Sequence, residues 1–313
     1  MALYLAKRIV LTIPVLFATA LMIFFLFQLI PGDVVQASMT QKLMTKEQQD
    51  AIREALGLNR PVLERAADYA VALMQGDMGR SFRTGQPVLD MLFSQLPYTV
   101  ILIAWSLLLA VLIGIPLGLA AALRRNSSVD AASMTAAVLG ASIPQYWLGL
   151  VLILVFAVNL RWLPATGSDG FDTLILPAIT LGVGNAAIIA RLTRSQMVEV
   201  LQSDYVRTAE AKGVRRSRVV LRHAFRNSLI PIITMLGLQV GALLGGAVVV
   251  EVVFARPGLG TIVVQSILKR DIPVIQGGIV LIAALFVLVN LAVDVSYSFL
   301  DPRIRTGRSS SGG

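Results

Sequence analysis

Long stretches without charge alternate along the chain with short connections that hold nearly all of it. Six uncharged runs stand out, at residues 9–30, 96–123, 131–160, 173–190, 227–250 and 272–293. They measure 22, 28, 30, 18, 24 and 22 residues, against the roughly 20 apolar residues that cross a bilayer core. Each is expected to be a helix, because lipid offers no partner for an exposed N–H or C=O. The third run exceeds one straight crossing, and its "SIPQYW" at 142–147 is expected to kink it at Pro144. Pro116, Pro177 and Pro231 predict further local breaks. Lys7 and Arg8 flank the first run as in a secretory signal, but its 22 residues exceed the ~7–15 of a signal core. It reads as a retained first helix.

Composition agrees. Mean hydropathy is +0.76 and 14% of residues are charged, about half the share of a soluble domain. The net charge of +9 could serve nucleic acid or an anionic membrane face, so the placement of the cations decides. Sixteen fall on alternate connections: Lys7 and Arg8, Arg124 and Arg125, nine from Arg191 to Arg226, then Arg303, Arg305 and Arg308. The other two short connections hold four, Arg161 and then Arg256, Lys269 and Arg270. The remaining seven lie in residues 31–95 beside eight acids, in a connection long enough to be translocated regardless of charge. Cytoplasmic N- and C-termini follow. With no cysteine and a single histidine, His223, the chain has no disulfide, no thiolate nucleophile and no all-histidine or cysteine metal site.

The densest basic segment, "SDYVRTAEAKGVRRSRVVLRHAFRNSLIP" at 203–231, has a pattern of its own. Val198, Leu201, Tyr205 and Thr208/Ala209 recur at helical spacing. Lys212-Gly213 ends that stripe with a residue suited to a left-handed cap. Val220/Leu221, Ala224/Phe225 and Ser228/Leu229 form a second stripe. Helix, glycine turn and helix also describe a DNA-reading motif, but here the second helix runs straight into an apolar span. Anionic lipid suits the arginines, and the small residues Ala209, Ala211 and Gly213 suit close packing in another protein's groove.

At this point the chain resembles ABC importer permeases. "YVRTAEAKG" followed by "LRHAFRNSLIP" is similar to their cytoplasmic coupling motif. More narrowly, it resembles the first membrane subunit of the dipeptide/oligopeptide (peptide/nickel/opine) branch. The likeness spans nearly the whole chain: "LIPGD" at 29–33, "LGLNRPV" at 56–62, "GDMGRSF" at 76–82, "QPV" and "LPYTV" within 86–100 and "SIPQYWLGL" at 142–150 all match. So do "EVVFARPGLG" at 251–260, "RDIPVIQG" at 270–277 and "DPRIR" at 301–305. Two departures from the general importer motif are its lead residues, Ala209, Glu210 and Ala211, and the long spacing from Gly213 to Pro231. The spacing resembles the peptide branch.

The resemblance implies an all-α, type I importer fold with six transmembrane helices. It divides the chain into a first transmembrane helix (1–30), an extracytoplasmic helical cap (31–95), a five-helix permease core (96–302) and a polar cytoplasmic tail (303–313). The core includes a coupling loop at 191–226 and an outer loop at 254–271. It further implies that a cytoplasmic ATPase grips the helix carrying Tyr205, Val206, Arg207, Thr208, Ala209, Ala211 and Gly213. The implied partners are a homologous second permease, two ATP-binding subunits or domains and an extracytoplasmic binding protein. ATP and magnesium belong to the ATPases, and no cofactor to this chain. The implied cargo is a dipeptide or oligopeptide; relatives with this layout also carry nickel chelates, glutathione, opines or oligosaccharides. The implied location is the bacterial inner membrane.

Other residues carry double readings. Glu251, Phe254, Pro257, Gly258 and Gly260 suit an outer gate or binding-protein contact, or a plain Pro-Gly turn. Asn185, Gln239 and Asn290 suit the translocation path, or bridges between helices. Asp294 suits a structural ion pair with the region of Asp301 and Arg303. A secondary transporter would ordinarily carry buried ionisable groups at mid-membrane depth and an internal repeat, and neither is found. An intramembrane protease lacks both H-E-x-x-H and a mid-span aspartate pair. The chain also has no G-x-x-x-x-G-K-[ST] phosphate loop, so an ATP-driven motor must come from another chain.

Overall fold

The computed structural model describes residues 2–29 and 59–300. The part of the expected cap (31–95) that runs to residue 58, the Asp301–Arg303 region and the tail lie outside the described residues. The regular elements among those described are all helices, with one isolated antiparallel bridge between Arg80 and Pro87. In order the helices are α1 (Ala2–Gln28), α2 (Val62–Met74), α3 (Val88–Leu123), α4 (Ser128–Ser142), α5 (Gln145–Leu152) and α6 (Asp172–Leu201). Then come α7 (Asp204–Ala211), α8 (Arg216–Arg218), α9 (Arg226–Val253), α10 (Leu259–Lys269) and α11 (Ile272–Leu300). Wider π-turns continue α5 over Ile153–Asn159 and join α8 to α9 over Val219–Phe225.

Among the described residues five helices are long and apolar enough to cross a membrane, and the pair α4–α5 makes a sixth crossing if taken as one span. The axes of that pair differ by 99°. Pro144 is the cause. It forces Ile143 out of the helical region (ψ 123°) and itself takes ψ 132° before α5 begins. The other three prolines behave differently from the expectation. Pro116, Pro177 and Pro231 lie inside α3, α6 and α9, and each helix runs on through them. One missing backbone bond is tolerable where neighbouring turns keep the remainder paired. With 36 residues α3 is about 54 Å long, well beyond a ~30 Å core, so it extends out of the membrane.

Two compact units make up the chain. One comprises Val100–Arg256 and the chain from Val289 onward. Its centre is α6, where Leu181, Ala186, Ala187, Ile189 and Ala190 are buried. Gly114 and Gly118 of α3 allow that approach. A Cβ on Gly114 would stand 2.6 Å from the Ala186 carbonyl oxygen, and one on Gly118 would collide with the Ala190 carbonyl. In return, a Cβ on Gly182 of α6 would stand 2.8 Å from the Ser106 oxygen. The second unit comprises Ala2–Thr99 and Pro257–Leu288, with Val88, Leu92, Leu259, Val274 and Leu281 as its core.

Two buried hydroxyls are satisfied within their own helices. Ser106 and Thr180 donate their hydroxyls to carbonyls one turn back, at 2.7 and 2.8 Å. Outside, Leu112, Leu139, Leu154, Phe286 and Leu288 are exposed. A soluble monomer rarely presents so much apolar surface; lipid and partner helices are its natural neighbours.

Candidate functional site

The basic segment folds as an elbow at the end of α6. Leu201 closes that helix, and Ser203 turns the backbone to ψ 150° before Asp204 opens α7. The acid in its first turn, Asp204, favours initiation there. The stripe from Val198 to Ala209 is therefore shared between two helices, whereas its spacing alone reads as one. Short polar bonds brace the corner: the Ser203 hydroxyl donates to Val200 O at 2.6 Å, and the Thr208 hydroxyl to Asp204 O at 2.8 Å.

At its far end α7 stops in a paired motif. The Gly213 N–H reaches Glu210 O at 2.9 Å, and the Val214 N–H reaches Ala209 O at 3.2 Å. Gly213 takes φ +76° between them. This double closure satisfies carbonyls that a helix end otherwise leaves open and requires a left-handed residue, which glycine supplies without a Cβ clash.

Only one side of α7 is anchored. Val206 is 1% exposed, while Tyr205, Arg207, Thr208 and Ala211 are exposed and Ala209 is half-buried. The Tyr205 hydroxyl accepts a 2.9 Å bond from the Asn227 amide in the first turn of α9. Behind it, Val220 and Ala224 of the π-turn pack with Ala122 and Met197, and the Ser228 hydroxyl donates to Phe225 O at 2.8 Å. The elbow is thus fixed by its heel to α6 and α9, with its cationic face open.

A tie that the sequence reading missed lies nearby. Arg194 of α6 donates to both carboxylate oxygens of Asp130, at 2.5 and 2.7 Å. Asp130 also accepts the Asn126 N–H at 3.0 Å, and its own N–H is capped by the Ser127 hydroxyl at 3.4 Å. An acid directly before an apolar run was the available signal. Its partner 64 positions away was not.

The other candidates sit apart from the elbow. Glu251 and Phe254 are buried at the end of α9, where Ala255 turns left-handed (φ 46°). The next residue, Arg256, is buried with its guanidinium 3.5 Å from the Thr173 hydroxyl. Pro257 is half-buried, and Gly258 and Gly260 are buried at the start of α10. There the Leu259 N–H is held by the Thr99 hydroxyl at 2.9 Å. At 11 residues, α10 is about 16 Å long and cannot cross a membrane. Asn185 is buried and donates to Leu181 O at 2.9 Å, within its own helix. Gln239 is buried on α9, and Asn290 is half-buried on α11. Among the described residues no cluster of three or more His, Asp or Glu could hold a metal.

Helices exposed as apolar surface and long enough to cross a bilayer, one of them broken at a proline, define a class: a polytopic helical membrane protein. Solved structures share the fold. A chain of the MetNI methionine ABC transporter in an inward-facing conformation matches with a TM-score of 0.60 at 20% identity, covering 68% of this chain and 97% of that one. An amino acid ABC transporter with histidines matches with a TM-score of 0.52 at 15% identity, over 68% and 94%.

Two family models divide the sequence between them. Residues 114–306 match "Binding-protein-dependent transport system inner membrane component", and residues 1–103 match the N-terminal region of such components. The glutathione transport system permease protein GsiC of Escherichia coli K12 is 44% identical over 96% of this chain and 98% of its own length. Its Salmonella typhi counterpart is 43% identical over the same shares. The chain belongs to the binding-protein-dependent inner-membrane component family, as an ABC importer permease of the peptide/nickel/opine type with the type I importer fold. It is a multi-pass inner-membrane protein.

Proposed function

We propose that this permease forms half of the import path for a small peptide, glutathione among the candidates, and that a cytoplasmic ATPase drives it by gripping α7. The observation that carries the coupling role is the one-sided anchoring of the elbow. Val206 is buried and Tyr205 is tied to Asn227, while Arg207, Thr208 and Ala211 face outward. A helix held only by its heel passes force to α6 and α9 and leaves its other face for a partner. Arg207 suits a partner carboxylate, which a guanidinium can bind through two parallel bonds.

The substrate class rests on the relatives. Those at 43–44% identity along almost the whole chain are glutathione permeases, and glutathione is itself a tripeptide. This agrees with the peptide-branch spacing from Gly213 to Pro231. A homologous second permease, two ATP-binding subunits and an external binding protein complete the assembly. Hydrolysis of ATP, with its magnesium, belongs to the ATP-binding subunits.

Proteoliposomes containing the complete assembly test both parts. ATP-dependent accumulation of labelled glutathione or dipeptide is expected, and accumulation of an oligosaccharide or nickel chelate in preference to peptides would refute the substrate class. Because the chain has no cysteine, a single Ala211→Cys variant can be crosslinked to cysteines on the ATPase surface. Absence of any crosslink in a transporting complex would refute the coupling role.

A further inference from the structure

The elbow is fixed by its heel to α6 and α9, so its movement reaches the broken span α4–α5 through those two helices. The outer half of that span leans on α9: a Cβ on Gly149 of α5 would stand 3.1 Å from Val253 and 3.2 Å from Phe254. The inner half, α4, leans on α6 along a stripe of small residues, with Ala137 clustered with Ala187 and Ala190. A Cβ on Gly140 would lie 3.4 Å from Val183, an ordinary contact.

The two neighbours of α6 are therefore held to it differently. Against α3, Gly114 and Gly118 leave no room for even one methyl group before the Ala186 and Ala190 carbonyls. Sliding there drives side chains into backbone. Against α4 the surfaces are alanine methyls, and helices grip each other through ridges and grooves formed by side chains. Alanine ridges are shallow. They let two helices approach closely without fixing how far one stands along the other.

Asp130 and Arg194 supply what that stripe lacks. Asp130 lies two turns before Ala137 and Arg194 one turn after Ala190, so the pair continues the stripe at its inner end. Two parallel charge-assisted bonds fix direction as well as distance. The carboxylate is not free to follow a sliding guanidinium, because the oxygen that takes Arg194 Nη2 also takes the Asn126 N–H. Asn126 is itself set in a left-handed turn (φ 62°). Slippage by one helical turn, about 5.4 Å, is incompatible with these bonds. Arg194 stands two turns, about 10 Å, before Leu201 closes α6 at the elbow.

We propose that the Asp130–Arg194 pair is a register lock that makes α4 travel with α6, so that force entering at α7 carries the broken span α4–α5 along with α6 and α9. Both are positioning residues, acting through α4 rather than on the cargo or the ATPase. The proposal rests on the α7 coupling reading above. With the lock released, α6 slips along the alanine stripe while α4 stays behind, and ATP is hydrolysed without import.

The test uses the complete assembly in proteoliposomes and reads ATP hydrolysed per peptide imported. Arg194→Lys keeps both charges but loses the paired geometry, and Asp130→Asn removes the charge. Each is expected to raise the ratio at least about threefold. Lost folding lowers hydrolysis and import together and leaves the ratio unmoved, so the ratio separates a lock from a merely structural pair. In this cysteine-free chain, spin labels at Thr135→Cys on α4 and Ser195→Cys on α6, both exposed, follow the register. Their distance should be the same with and without vanadate-trapped nucleotide in the otherwise wild-type chain, and differ by about 2–5 Å between those states in Arg194→Lys. A wild-type ratio in both variants would overturn the proposal, as would a raised ratio with the distance unmoved or a distance that changes in the wild-type background. Should Asp130→Asn fail to accumulate, Arg194→Lys alone decides. Failure of the α7 reading shows separately, as absence of the Ala211→Cys crosslink, and the α4–α6 distance then still decides the lock.

Discussion

Breaking the Asp130–Arg194 pair should cost this protein more than breaking any surface ion pair. The Asp130 side chain is 5% exposed and that of Arg194 28%, so the pair is mostly shielded from water. Its two bonds and the Asn126 N–H satisfy the carboxylate from two sides. Removing one partner of a fully buried pair costs about 3–5 kcal/mol, because the other charge stays behind uncompensated. The outer part of Arg194 still meets water, which lowers the expected loss to about 2–4 kcal/mol for Arg194→Gln. For a chain of 313 residues that corresponds to a fall of about 3–6 °C in Tm.

A double-mutant cycle separates the pair from its surroundings. Asp130→Asn and Arg194→Gln are each expected to destabilise, and together hardly more than either alone, giving a coupling of about 2 kcal/mol. Arg60→Ala serves as an internal control. Its 3.3 Å partner Asp68 is mostly exposed, as Arg60 is, so that loss should stay within about 0.5 kcal/mol. Thermal unfolding in detergent or nanodiscs reads all four. A Tm for Arg194→Gln within 1 °C (about 0.7 kcal/mol) of wild type would refute the reasoning, as would losses that simply add.

Gly213→Asp and Ala209→Trp should abolish ATP-driven uptake while leaving expression intact, the first by straining the left-handed turn by about 1 kcal/mol and the second by filling the partner's groove; normal uptake in either would count against α7 as the coupling helix. Gly118→Val should prevent accumulation in the membrane, because any Cβ there meets the Ala190 carbonyl; wild-type levels on a membrane blot would disprove the close approach of α3 and α6. Val206→Ala should lower stability by about 1–2 kcal/mol, since that side chain is 1% exposed, and unfolding indistinguishable from wild type would show that the heel of α7 is not packed.

Much of the fold was legible because lipid imposes strict rules. Charge-free length marked the spans, and Pro144 inside an overlong run marked the break, which the structure makes a 99° turn. The same rule over-read Pro116, Pro177 and Pro231, since a single lost bond does not end a helix whose other bonds survive. In the elbow, helical spacing was legible but its division at Ser203 was not. Residues on two helices in a row can keep the period of one, and only the backbone angle at Ser203 separates them.

What the sequence could not offer was partnership between distant polar residues. Asp130 and Asp271 look alike as isolated acids beside apolar runs, yet one clasps an arginine and the other a serine and a backbone N–H. These partnerships carry topological weight. In one unit the Ser81–Asp271 bond sets the connection before α3 on the same face as the one before α11. In the other, Asp130–Arg194 sets the α3–α4 turn on the same face as the end of α6, and Arg256–Thr173 does likewise for the α5–α6 connection and the end of α9. That sorting matches the alternation of cation-rich and cation-poor connections along the chain. Charge counting is a statement about insertion, and side-chain bonding is a statement about packing. Within its own unit, that agreement puts the elbow with the cation-rich connections.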